Sequence, residues 1–258
     1  MRHPLIGLPA SLILVLALAT PALGIVYGQV DDDESYPNVG ALIGEFEGER
    51  LIFCSGTLIA ADVFLTAAHC VDDGATMWVS FDPVVHEPVD ETTNTLHEGT
   101  AQAHPSFACC GANNTFDIAV VVLDPPVAGI TPADLPGSNM LGQMHNMQLK
   151  SETFVAVGYG TVRETQRGAF QAFFFDGQRR WAEQSALSLV PAWLNLSMNQ
   201  ATGDGGTCYG DSGGPHFLGS TVVSLTVTGD VFCKATDKTY RVDTPWARDF
   251  LDEFVTLP

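Results

Sequence analysis

Basic residues are what this chain has least of. Only 11 Lys and Arg stand against 30 Asp and Glu, a formal net charge of -19. Nucleic acid or an anionic membrane needs a basic face, so this balance argues against both as partners. It is compatible with a cationic substrate, and acidity of this size also keeps a chain soluble and monomeric, the state expected here. No Cys-x-x-Cys pair occurs and the seven histidines are scattered. Nothing in that spacing points to a zinc site, and no metal or cofactor is expected. A fixed-period repeat and a low-complexity linker are both missing. So is an apolar run of bilayer length: the most apolar stretch, Leu12–Ala19, is short and flanked by Pro9 and Pro21.

What is present starts with that stretch. Met1-Arg2 is followed by a run without Asp, Glu, Lys or Arg from His3 to Val30, with small residues at Ala22-Leu23-Gly24. This reads as a secretory signal over residues 1–24, removed on export and leaving no membrane insertion. An oxidising destination gives meaning to the six cysteines at 54, 70, 109, 110, 208 and 233, for which three disulfides are expected. With 258 residues and 46% hydrophobic content the chain can bury a substantial core.

From Val39 onward short apolar runs alternate with turn residues: Leu51–Phe53, Thr57–Ile59, Val63–Thr66, Met77–Phe81 and Ile118–Leu123, then Thr153–Val157, Phe170–Phe175, Leu187–Leu189, Thr221–Val227 and Tyr240–Val242. Short strands at this spacing predict an all-β chain of barrels or sandwiches. Asp124-Pro125-Pro126 through Leu135-Pro136-Gly137 is the most linker-like segment and divides the chain into units at 25–135 and 136–258. At the C-terminus the period changes. Asp243 is expected to cap, and Thr244-Pro245 to start, a helix whose apolar side carries Trp246, Ala247, Phe250, Leu251 and Phe254.

Three segments carry candidate chemistry. Cys208-Tyr209-Gly210-Asp211-Ser212-Gly213-Gly214-Pro215 sets a serine among glycines. Such a loop lets backbone N–H groups approach a reacting oxygen, and its serine becomes a nucleophile once a base lies nearby. Leu65-Thr66-Ala67-Ala68-His69-Cys70 ends an apolar run on a histidine, beside a cysteine with a natural partner in Cys54 across two short strands. Closing a loop of that size stabilises by roughly 3 kcal/mol. Phe116-Asp117-Ile118 puts an acid at the mouth of a strongly apolar strand, where a buried carboxylate needs a partner such as an imidazole N–H.

In the order His, Asp, Ser, these segments resemble the chymotrypsin-like (trypsin-fold) serine peptidases, and the likeness runs from Ile25 nearly to the C-terminus. Val157-Gly158-Tyr159-Gly160 is similar to the family's glycine-aromatic-glycine strand end. The resemblance implies two six-stranded antiparallel β-barrels of the chymotrypsin/trypsin type with a C-terminal helix, and an active site in the cleft between them. It implies a serine endopeptidase acting on polypeptide substrates and open to protein inhibitors. Ser212 would be nucleophile, His69 general base and then acid, and Asp117 the group that fixes the imidazole. The backbone N–H groups of Gly210 and Ser212 would form the oxyanion hole. Because His69 must be neutral to act as base, activity is expected to fall on acidification.

Ile25-Val26-Tyr27-Gly28 resembles the family's mature N-terminus, whose freed amine pairs with the acid before the serine, here Asp211. Tyr27 stands where the family prefers glycine. Signal cleavage after Gly24 would expose Ile25 directly, so export itself is expected to yield the active form. The resemblance places the specificity pocket at Gly206, at Val227-Thr228-Gly229 and near Lys238. Trypsin-like enzymes carry Asp at the position of Gly206, so a preference for Arg or Lys is not expected from it. An inward Lys238 would favour an acidic substrate residue, an outward one an apolar residue. The resemblance also pairs Cys208 with Cys233. Adjacent Cys109 and Cys110 departs from the common pattern and leaves open a vicinal disulfide, cross-links elsewhere or free thiols. Asn113-Asn114-Thr115 and Asn195-Leu196-Ser197 are glycosylation sequons.

Two other readings are weaker. A catalytically silent binding protein of the same fold would normally lose a triad residue or the oxyanion glycines, and all are kept. Gly210-Asp211-Ser212-Gly213-Gly214 also fits the short nucleophile motif of α/β-hydrolases. There the serine precedes acid and histidine, the reverse of the order here.

Overall fold

The computed structural model describes residues 25–108, 114–163 and 173–258. The expected signal, Cys109-Cys110 and the Asn113 sequon lie outside the described residues.

Six antiparallel strands close the first barrel: β2 (Val39–Phe46), β3 (Glu49–Ala60), β4 (Val63–Thr66), β5 (Thr76–Ser80), β6 (His97–Ala103) and β7 (Ala119–Leu123), in the order β2-β3-β4-β7-β6-β5. Glu47 and Gly48, both at positive φ (53° and 85°), make the tight reversal between β2 and β3, the twist a two-residue hairpin favours. Leu42, Leu58, Phe64, Val79, Val121 and Leu123 fill this barrel.

The second barrel uses β8 (Thr153–Gly158), β11 (Arg180–Leu189), β12 (Trp193–Ser197), β13 (Pro215–Leu218), β14 (Thr221–Gly229) and β15 (Thr236–Arg241). The order β11-β12-β15-β14-β13-β8 closes through a β8–β11 ladder. A short β1 (Gln29–Val30) adds to the outside of β11. Strands β9 (Val162–Arg163) and β10 (Phe173–Phe174) pair with each other. Phe154, Leu141, Leu194, Leu196 and Val223 pack inside.

A third apolar cluster, with Leu65, Ile118, Tyr159, Phe217, Leu225 and Tyr240, joins the two barrels. Helix α1 (Asn146–Leu149) is a single turn on the connection between them, and α2 (Pro245–Leu251) docks at the end through Ala247, Phe250 and Leu251. Two expectations about α2 are corrected. Its cap is Thr244, whose hydroxyl accepts from the Ala247 N–H, because Asp243 is engaged with Arg241 and the Leu141 N–H. Trp246 is 42% exposed, since the turn geometry points it away from the body.

Candidate active site

Strand pairing alone sets His69 beside Asp117. Strand β4 runs into the turn Ala68–Cys70, and Thr66 at its end is in register with Ala119 of β7. The residues just past the end of β4 and just before the start of β7 therefore meet. Asp117 Oδ2 lies 2.9 Å from His69 Nδ1, and Oδ1 accepts the His69 backbone N–H at 3.0 Å. Asp117 is 5% exposed while the imidazole keeps 31% of its side-chain surface. A buried carboxylate facing one nitrogen leaves the other, Nε2, as the outward acceptor. The Cys54–Cys70 disulfide, with a Cα–Cα distance of 6.1 Å, ties the histidine turn to β3.

Strand β3 also holds the serine loop. The Ser55 N–H donates to the Ser212 carbonyl at 2.8 Å, and the Ser55 hydroxyl donates to the Gly210 carbonyl at 3.0 Å. Gly210 and Gly213 adopt φ of 94° and 76°, open to glycine without strain. A Cβ on Gly213 would overlap Thr66 and the Ser55 carbonyl. With the Gly210 and Ser55 contacts in place, the Gly210 and Ser212 N–H groups have no acceptor among the described residues.

Asp211 is fully buried. Its carboxylate accepts the Gly160 and Cys208 N–H groups, both at 2.8 Å. A Cβ on Gly158 or Gly160 would overlap this carboxylate, which accounts for the two glycines around Tyr159. Loss of solvation pushes Asp211 up to about 7, against the pull of those two N–H groups. Ile25 is buried against Ala156 and Ala182, and Val26 bridges to Gly206. Tyr27 has a φ of 65°, the conformation that favours glycine at this place.

Beside Ser212 opens a cavity of about 220 Å³. Val227, Thr228 and Gly229 line it, as do Cys208 and Cys233, joined by the second disulfide with a Cα–Cα distance of 5.4 Å. Gly206 and Lys238 do not line it. Gly206 packs beneath, where a Cβ would overlap Met198. Lys238 points to the other face of its strand, with Nζ 4.2 Å from the centre of the Trp193 ring. Strand alternation sends the neighbouring Asp237 inward instead, where it accepts from Thr207 of the cavity wall at 2.7 Å. Asp237 and Ser55 escaped the sequence reading. The period-2 pattern counted back from Tyr240 was the one signal that could have exposed the first.

Cys54, His69 and Cys70 offer three ligand-type atoms in one place. Two are sulfurs spent in the disulfide, so the group lacks the thiolates a metal would need.

Comparison with known proteins agrees with this geometry. The Trypsin family model matches residues 25–252. Kallikrein-8 of Rattus norvegicus is 25% identical over 218 residues, covering 83% of this chain and 79% of that protein. Chymotrypsin of Phaedon cochleariae is 24% identical over 226 residues, 85% of this chain and 78% of that protein. Serine protease Hayan of Drosophila melanogaster is 25% identical over 218 residues, 75% of this chain, and the match spans only 32% of the fly protein.

Proposed function

Because the chain belongs to the trypsin family of serine proteases, we propose that it is a secreted serine endopeptidase working through His69, Asp117 and Ser212. The observation that carries this is the double contact of Asp117 with His69, one oxygen on the ring and one on the backbone. It holds the imidazole in the tautomer that a general base requires, next to a serine loop fastened to the same strand.

In this reading the Ser212 hydroxyl attacks a substrate carbonyl carbon as His69 Nε2 takes its proton. The N–H groups of Gly210 and Ser212 receive the developing oxyanion, and preorganised donors of this kind are worth about 10²–10³ in rate each. His69 then protonates the leaving amine as the C–N bond breaks, giving an acyl-enzyme. Water, deprotonated by His69, attacks the ester carbonyl and releases the acid and free Ser212. Asp117 stays ionised throughout and stabilises the imidazolium.

Asp211 is the partner for a freed Ile25 amine: a buried carboxylate with a raised pKa gains most from a cation. Secretion is supported by the apolar leader in the sequence and by two disulfides among the described residues. Labelling with a serine-directed phosphonate tests the catalytic reading. Covalent modification of the purified protein, absent in Ser212→Ala, is expected. An unlabelled, folded protein with Ile25 at its start would make it a silent binding protein of the same fold. N-terminal sequencing of the exported form tests the leader.

A further inference from the structure

Away from the serine loop, the docking of α2 leaves a separate cavity of about 280 Å³. His104, Phe116, Trp246, Asp249, Phe250 and Glu253 line it. None of them belongs to the cavity beside Ser212 or to the groove that borders His69. Trp246, Asp249, Phe250 and Glu253 stand three and four residues apart, which sets them along one side of α2 and the turn after it. The remaining wall comes from the first barrel, where His104 directly follows β6 and Phe116 precedes Asp117.

The His104 ring packs on Phe116 and Phe250, with centroids 4.7 and 5.3 Å away. Both of its nitrogens are committed. Nδ1 accepts the Ser106 N–H at 3.1 Å, and the other nitrogen donates to the Trp246 carbonyl. An accepting Nδ1 carries no proton, so the ring is neutral. Loss of solvation holds its pKa below the ordinary histidine value, against the pull of Glu253 and the Trp246 carbonyl. The wall therefore offers aromatic faces and no positive charge. Asp249 and Glu253 are exposed and enter no salt bridge among the described residues. Arg248 is turned elsewhere and donates to the Pro136 and Pro258 main-chain oxygens. Among the described residues no Lys or Arg lines the cavity.

Aromatic faces attract cations, and two carboxylates at the same place add to that attraction. An anion would be repelled by both, and a purely apolar group would gain nothing from the charges. Trp246 is exposed at the edge while Phe250 is buried, and the acids stand around them. An aromatic anchor with a charged margin is how protein docking spots are built. We propose that this cavity is a docking site for a basic side chain, Lys or Arg, of a polypeptide partner. Its cation stacks on Trp246 and Phe116 and pairs with Asp249 and Glu253. The site shares no residue with the candidate catalytic groups, so it stands whether or not Ser212 is a nucleophile.

The test uses the full chain carrying Ser212→Ala, so that no peptide is cut. A fluorescent peptide Gly-Lys-Gly-Arg-Gly, blocked at both ends, and its Gly-Gln-Gly-Gln-Gly counterpart are titrated and followed by anisotropy. Salt is set at about 0.15 M, where charges farther apart than about 8 Å are largely screened. The basic peptide should bind about tenfold more tightly than the neutral one. Trp246→Ala should lose most of that difference, and Trp246→Phe, which restores an aromatic face, should recover much of it. Asp249→Asn with Glu253→Gln should lose it as well. Asp32→Asn with Asp33→Asn removes the same charge from exposed acids that do not line the cavity, and binding should be unchanged. Equal binding of the two peptides overturns the proposal, as does undiminished binding by Trp246→Ala or by the Asp249 and Glu253 double variant. An equal loss in the Asp32 and Asp33 double variant overturns it too, by reducing the effect to net charge.

Discussion

The Ser55 backbone N–H donates to the Ser212 carbonyl at 2.8 Å across the seam between the two barrels. Ser55 follows Cys54, which is bonded to Cys70, and Cys70 follows His69. The candidate nucleophile and base are thus referred to one another through a single β3 residue and one disulfide. The Ser55 hydroxyl extends the arrangement, donating to the Gly210 carbonyl at 3.0 Å and accepting the Tyr159 N–H at 2.9 Å.

Ser55→Ala removes both side-chain contacts and leaves the Tyr159 N–H buried without an acceptor. Unmade buried hydrogen bonds cost about 1–3 kcal/mol each, so a lower melting temperature is expected. The phosphonate labelling rate should fall together with it, because the Gly210 peptide loses its anchor. Unchanged labelling in a destabilised variant would show that Ser55 supports the fold and not the site.

Asp117→Asn keeps the size of the side chain and replaces an acceptor with an amide. The His69 N–H can still find the amide oxygen, but the ring nitrogen then faces NH₂ and turns to the wrong tautomer. A loss of about 10⁴ in kcat is expected, with KM little changed. Turnover within tenfold of the parent would remove Asp117 from the role proposed for it.

Asp211 gives a pH signature that depends on the N-terminus. With residue 24 still attached, its pKa of about 7 lies above the ordinary value near 3.9. The folded form then binds an extra proton between those values. Its contribution to stability is complete below the lower value and disappears as pH rises through the upper one. In a chain starting at Ile25, ion pairing depresses Asp211, and its contribution is instead lost on acidification. The paired amine, raised above its ordinary range, contributes below its unfolded pKa and ceases to do so as pH rises through its folded value. Between pH 4 and 8 the melting temperature of the uncleaved form should therefore fall, while that of the form starting at Ile25 stays nearly level. Superimposable profiles would rule out the Ile25–Asp211 pair.

Asp31 and Arg179 form a second buried connection, with Nε 2.7 Å from Oδ2 and both side chains almost without exposure. Arg179 also donates to the Val39 and Phe81 carbonyls of the first barrel and to the Tyr159 hydroxyl. Removing one partner of such a pair leaves an uncompensated charge and costs about 3–5 kcal/mol. Asp31→Ala should lower the urea midpoint accordingly, and Asp31→Ala with Arg179→Met should recover part of the loss. A double variant no better than the single would argue against a charge effect.

Much of this architecture was legible in the sequence, and the failures share a cause. Apolar strands such as Val63–Thr66 and Ala119–Leu123 were visible because burial on both faces makes them continuously hydrophobic. Strand β11 was reduced to its last residues because the positions it buries are Arg180, Ala182, Gln184 and Ala186, which carry little apolar alternation. Strand β6 went unseen because it turns inward only Gly99 and Ala101. The triad candidates stood out through their local motifs, whereas Asp237 did not, being a polar residue facing inward from a strand beside a more conspicuous lysine. Cross-barrel contacts such as Ser55 to Ser212 join residues far apart in the chain, and no local pattern encodes them.

Gly206 offers a last test, since it occupies the position where trypsin-like enzymes carry an acid. A Cβ there would overlap Met198 and come within 2.6 Å of Gln184 Nε2, one of the donors that hold Asp237. Gly206→Asp must therefore displace the Met198 side chain and bury a second carboxylate in the same low-dielectric region. Overpacking alone costs about 1–3 kcal/mol, and an unpaired buried charge adds to it. The variant should melt at a lower temperature than the parent in a thermal-denaturation measurement. An unchanged melting temperature would show that the space around Gly206 can open to take the carboxylate, against the close packing by Met198.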